Sequence, residues 1–115
     1  MPLVKVETTV IPNQEKRDLV LTTLSKIAAE TIGKPEQYMM VTMSPAAMLM
    51  SGKPGDAAFV EVRSIGGLNS NVTKALSQKI CACLGESLQI PQDRIYLNFV
   101  EVEAVNWGWN GATFG

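Results

Sequence analysis

The second residue of the chain is a proline behind an initiator Met that processing commonly removes before a small residue. Pro2 would then carry a free secondary amine at the N-terminus. Such a nitrogen is a base: an α-amino group titrates at about 7.7 to 8, and a poorly hydrated pocket disfavours its charged form. The chain contains no histidine, which removes Ser-His and Cys-His nucleophiles, histidine zinc sites and a histidine general base. Proton transfer near neutral pH therefore falls to some other perturbed group. Tyr96 and Asn98, two apart on a strand-like run, aim a hydroxyl and an amide from one face, into one cavity or at a subunit contact. The run Ser64-Ile65-Gly66-Gly67 has the turn chemistry to bare a backbone N–H at Ile65. Each feature has a plainer reading. Pro2 is by itself the processed start of a strand, Lys34 between Gly33 and Pro35 a solvated charge at a helix C-terminus, and Ile65 a strand end.

Bulk properties set the limits. A chain of 115 residues fits a single unit, residues 1–115, and buries well over half of its unfolded surface without disulfides or metals. With 46% apolar and 18% charged residues and a net charge of -1, it offers no electrostatic footprint for nucleic acid or an anionic membrane. No run approaches the roughly eighteen apolar residues of a membrane span, and the N-terminus lacks a signal-peptide pattern. A cytoplasmic location is expected, with export lacking a signal left open. Cys81 and Cys83, the only cysteines, point in different directions on a helical pattern and suit a reducing compartment.

The elements that must position these groups follow from periodicity. Leu3 to Val10 alternates as a half-buried strand, with Val4, Val6, Thr8 and Val10 on one face. From about Gln14, Val20, Leu24, Ile27 and Ala28 recur at helical spacing until Gly33 and Pro35 supply the stop. Tyr38 to Met43 is apolar at nearly every position, which predicts a strand central in its sheet. Residues 44–56 form a connection. Ala57 to Ser64 is a third strand, Val72, Leu76, Ile80, Cys83, Leu84 and Leu88 mark a second helix, and Arg94 to Val102 is the last strand. The tail, residues 103–115, places both tryptophans in a Gly- and Asn-rich run where neither helix nor strand is expected.

One shift of 56 residues aligns Val4 with Val60, Val20 with Leu76, Pro35 with Pro91 and Val41 with Leu97. Residues 2–43 and 57–102 therefore each read as a strand, a crossover helix and a strand, a right-handed βαβ unit with a parallel pair. Two units joined edge to edge give an α/β (α+β) sandwich: a four-stranded mixed sheet with both helices on one face. The opposite face carries Lys5, Glu7, Tyr38, Met40, Phe59, Glu61, Arg63, Tyr96, Asn98 and Val100, a mixed surface with more aromatic character than open solvent requires, which points to self-association.

The Met-Pro start, Thr-Ile-Gly-Lys-Pro-Glu-Gln-Tyr (31–38), Ser-Ile-Gly-Gly (64–67), Asp-Arg-Ile-Tyr-Leu-Asn-Phe (93–99) and Gly-Trp-Asn-Gly-Ala-Thr-Phe (108–114) together resemble the macrophage migration inhibitory factor family of the tautomerase superfamily. The likeness runs over essentially the whole chain. It implies a homotrimer with sites between subunits, and a cofactor-free, metal-free keto-enol tautomerase acting on aryl pyruvates such as phenylpyruvate or on dopachrome-like compounds. In that reading Pro2 is the general base. Lys34 and the Ile65 N–H hold substrate oxygens, Tyr96 and Asn98 enter a neighbour's pocket, and Tyr38, Val102, Trp107, Trp109 and Phe114 form its apolar wall. The resemblance equally allows a cytokine-like or host-modulating binding protein, with receptor binding and only incidental turnover. Three positions depart from the family's mammalian members. Asp56-Ala57-Ala58-Phe59 stands where they carry Cys-x-x-Cys, so thiol-disulfide exchange is not expected; Arg63 replaces a histidine and Trp107 a valine, which leaves substrate preference open.

Overall fold

The computed structural model describes residues 1–115. Its central sheet has four strands: β1 (Pro2–Thr8), β2 (Met40–Pro45), β3 (Ala58–Ser64) and β4 (Ile95–Glu101), in the order β2-β1-β3-β4. β1 runs parallel to β2 and β3 parallel to β4, while β1 and β3 meet antiparallel at the centre, Pro2 opposite Ser64 and Thr8 opposite Ala58. Helices α1 (Gln14–Ile32) and α2 (Ser70–Leu88) each span 19 residues and cover one face. They bury Val20, Leu24, Leu76, Ile80 and Leu84 against Val4, Val6, Val60 and Val62, all at most 1% exposed. Neither helix is long and apolar enough to cross a membrane.

The repeat holds through the first strand, the helix and the 3-10 turn of each unit. β3 starts 56 after β1, α2 starts 56 after α1, and the short 3-10 turns Glu36–Tyr38 and Gln92–Arg94 keep the same shift. Asn13 and Asn69 cap the two helices by accepting the N–H of Lys16 and of Val72, each at 2.9 Å. Such a cap is worth about 1 kcal/mol. Gly33 and Gln89 close the two helices in the left-handed region, φ 81° and 59°. A buried hydroxyl ends each inner strand. The Thr8 Oγ1 accepts the Val10 N–H at 3.1 Å, and the Ser64 hydroxyl donates to the Gly66 carbonyl at 2.7 Å. This turn is why the first strand stops at Thr8 instead of reaching Val10.

Two expectations are corrected. The strand after α1 is not central: the first strands of the two units pair with each other, which sends β2 to an edge. Its apolar character is also divided between faces. Met39, Val41 and Met43 pack on the core, whereas Met40 is 62% exposed, and Tyr38 leaves the sheet face for the 3-10 turn. The tail is not irregular. Gly108–Trp109 (β5) and Ala112–Thr113 (β6) pair as a small hairpin. Asn110 and Gly111 both have positive φ, 53° and 81°, the two-residue turn that an Asn-Gly pair favours. In the connection between β2 and β3, Met50 and Lys53 bridge across Ser51-Gly52. The Arg94 guanidinium clamps that loop, donating to the carbonyls of Asp56 (2.8 Å), Lys53 (3.0 Å), Met50 (3.3 Å) and Gly55 (3.5 Å).

Candidate active site

The central position of β1 carries Pro2 into the middle of the sheet, at the end where β3 gives way to its crossover and β2 begins. Its ring is turned to the helix layer and is less than 2% exposed. Beside it opens a cleft of about 860 Å³, floored by Pro2 and Leu3 and walled by Tyr38, Met40, Val102, Trp107, Trp109 and Phe114. That volume lies within the range of small-molecule sites. The tail hairpin builds the outer wall: Trp109 and Phe114 stack with ring centroids 6.0 Å apart and 13° between planes. The Phe114 N–H donates to the Trp107 carbonyl at 3.1 Å, which ties the last turn of the wall to its base.

At the Pro2 end, two loops converge. Gly33 ends α1 and lets the chain reverse, so that Lys34 reaches across to β3 and its Nζ donates to the Ile65 carbonyl at 2.9 Å. An ammonium has three donors, and this contact uses one. Gly67, at φ 81°, passes so close to α1 that a β-carbon there would lie 2.9 Å from the Ile32 Cγ2. That approach brings the 64–67 turn against the helix end bearing Lys34. The Ile65 N–H, just beyond the last rung of β3, donates to no group in the chain and is free to meet a ligand oxygen.

The electrostatics lower the proton affinity of the terminal amine. Burial, and secondarily the Lys34 charge, push the chain's α-amino group below its ordinary value near 8.0. That group belongs to Met1 and precedes the Pro2 nitrogen by one residue. By contrast, burial pushes the thiols of Cys81 and Cys83 up, away from nucleophilic character.

Most of the expected site residues come together here. Pro2, Tyr38, Val102, Trp107, Trp109 and Phe114 line one cleft, while Lys34 and Ile65, bonded to each other just past the Ser64 that pairs with Pro2, are not among its lining residues. Tyr96 and Asn98 do not reach it within the chain. Both sit on the outer face of β4, Tyr96 at 65% exposure, and Tyr96 instead lines a second hollow of about 390 Å³ with Met48, Leu49, Met50 and Phe59. The strand register explains this: Asn98 lies opposite Glu61, and Glu61 opposite Lys5, three residues along β1 from Pro2. Gln37, Leu3, Asn106 and Gly108 also line the cleft and were not singled out from sequence. Gln37 and Gly108 lie within the quoted motifs, while Leu3 and Asn106 carry no signal beyond adjacency to Pro2 and Trp107.

Against known proteins, the family model "Macrophage migration inhibitory factor (MIF)" matches residues 1–115. The macrophage migration inhibitory factor of Meriones unguiculatus is 36% identical over 115 residues, covering 99% of each chain. Among solved structures, the homologue from Prochlorococcus marinus shares 38% identity with a TM-score of 0.92, covering 98% of this chain and 99% of that one. The migration-inhibitory-factor-like protein of Entamoeba histolytica reaches a TM-score of 0.94 at 30% identity, with 98% of each chain covered.

Proposed function

The chain belongs to the macrophage migration inhibitory factor family, and from that premise we propose that it is a cofactor-independent keto-enol tautomerase of the phenylpyruvate or dopachrome type. The observation that carries this reading is the buried Pro2 at the floor of an aromatic cleft, where burial and Lys34 hold a terminal amine toward its neutral form. The neutral Pro2 amine takes a proton from the carbon α to the substrate carbonyl. The Lys34 ammonium and the free Ile65 N–H receive the carboxylate and the oxygen on which negative charge develops. The protonated amine then returns the proton at the other terminus of the enolate, so no net proton or electron is consumed.

Tyr96 and Asn98 fit this scheme as groups donated to a neighbouring copy. They stand on an outer face with a hydroxyl and an amide, and β2 leaves an unpaired edge with Met40 in the open. We propose that three copies assemble so that each cleft gains a Tyr96 and an Asn98 from its neighbour.

The test is Pro2→Gly in protein whose intact mass shows Met1 removed, assayed by phenylpyruvate enol absorbance. Removing a general base lowers the rate by roughly 10²- to 10⁴-fold. Undiminished activity in that variant, or in protein that keeps Met1, would sink the amine-base mechanism. Activity absent from the wild type as well would favour the binding role that the family's name describes.

A further inference from the structure

The fourteen residues lining the cleft include only one charged side chain, Arg63, and no carboxylate. Arg63 stands on β3 directly opposite Leu3, one residue from Pro2 along β1, and lines the cleft with it. Its Nε is held by the Glu61 carboxylate. That contact draws the guanidinium along β3 toward residue 61, away from Ile65 and the lysine beyond it. The two Nη groups donate to nothing in the chain, although the side chain is only 47% exposed. A planar fork braced at one nitrogen and open at the other two is the form in which arginine grips a carboxylate bidentately. Two cations thus stand at opposite ends of the reacting centre. Lys34 is anchored at Ile65, and Arg63 lies two residues back, about 7 Å along the strand. Between and above them the walls are Trp107, Trp109, Phe114 and Met40.

We propose that the preferred substrate is a doubly acidic 2-oxo acid with an unsaturated or aromatic body, its 2-oxo carboxylate at Lys34 and a second carboxylate at Arg63. This rests on the tautomerase reading for the reaction, but the recognition can be measured without any turnover. An exposed arginine already paired with Glu61 needs no ligand for its own stability. A ligand with one acidic group would instead leave both Nη groups with only water to bind. The Glu61 carboxylate engages Nε, leaves both Nη groups open and does not itself line the cleft.

Both of the chain's tryptophans line this cleft, so their fluorescence reports occupancy directly. Titration of wild type, Arg63→Gln and Arg63→Lys with cinnamate and with para-carboxycinnamate gives the ratio of the two dissociation constants. A charge-assisted bidentate contact in a half-exposed site predicts about tenfold tighter binding of the doubly acidic ligand by wild type. Arg63→Lys keeps part of that preference, as a point charge without the fork, and Arg63→Gln brings the ratio to about one. Equal dissociation constants in wild type, or an unchanged ratio in Arg63→Gln, overturn the proposal. The same comparison of kcat/KM for phenylpyruvate and its para-carboxy derivative extends it to catalysis. Should neither be turned over while the binding ratio stands, the tautomerase reading fails and the assignment of Arg63 survives.

Discussion

Replacing Gly67 with Ala tests how tightly the site's second loop is locked to its first. Two costs add at this position. The backbone sits at φ 81°, where an L side chain pays about 1–2 kcal/mol. The new β-carbon would also come within 2.9 Å of the Ile32 Cγ2 and 3.4 Å of the Ile32 carbonyl. Ile32 cannot simply turn aside: it is buried at 8% exposure in the last turn of α1, and a β-branched side chain in a helix keeps one χ1 rotamer. Overpacking of this kind costs about 1–3 kcal/mol. Gly66 is the internal control, because it has nearly the same φ, 73°, but open space where its β-carbon would go. Gly66→Ala should therefore show the backbone cost alone, and Gly67→Ala should lose at least about 1 kcal/mol more. In a chain of this size that is about 4 °C of extra loss in Tm by differential scanning calorimetry. Because Ile32 sits two residues before Lys34, its displacement also moves the helix end that aims Lys34 at the Ile65 carbonyl, so phenylpyruvate turnover should fall further in Gly67→Ala than in Gly66→Ala. If the two variants melt together, the close approach of loop and helix contributes nothing and the reasoning fails.

Two further predictions concern charge. Lys34→Met removes the cation that, after burial, helps to depress the terminal amine, so the amine should titrate higher. Activity rises with pH as the amine loses its proton, and that rising limb should move to higher pH in the variant; an unmoved limb in the kcat/KM profile would show that the titrating base is elsewhere. Arg94→Ala deletes all four contacts to the 50–56 loop, and its effect should be local. Amide hydrogen exchange at Met50 and Lys53 should speed at least tenfold, corresponding to the loss of roughly 1.5 kcal/mol or more expected for hydrogen bonds from a charged donor; protection equal to wild type would mean that the Ser51-Gly52 turn stands by itself.

Much of this architecture was legible because periodicity reports which face is buried. Val4 and Val6, Val60 and Val62, and the helix stripes through Leu24 on α1 and Ile80 on α2 all face one core, and the 56-residue shift extends to caps and turns. Strand order was less legible. The run around Met40 and Val41 looks central because both faces are apolar, but hydropathy cannot distinguish a strand buried by its own sheet from an edge whose outer face is left open. In the tail, Asn110-Gly111 carried a hairpin signal that the surrounding glycines and the two-residue length of each strand obscured. The aromatic wall could be named from the resemblance, yet its closure depends on the stack of Trp109 on Phe114, a contact made only once the hairpin has formed. Tyr96 and Asn98 share a face as their spacing requires, but which cavity they serve depends on register across three strands, and that is a property of the assembled sheet.

The duplication carries one consequence that is purely covalent. Under the 56-residue shift, the partner of Pro2 is Ala58, equally the first residue of its strand and almost as deeply buried, at 4% exposure. A peptide comprising one unit alone would begin at that position in every copy, and each copy would present a terminal nitrogen with a lone pair. Joined in tandem, the second nitrogen is conjugated into the Ala57–Ala58 amide and has no basicity to offer. With Met1 removed, the chain therefore offers a free strand-leading nitrogen at Pro2 and none at Ala58, and a circularly permuted chain that opened at residue 58, with Ala58 replaced by proline, would exchange which of the two positions carries the amine.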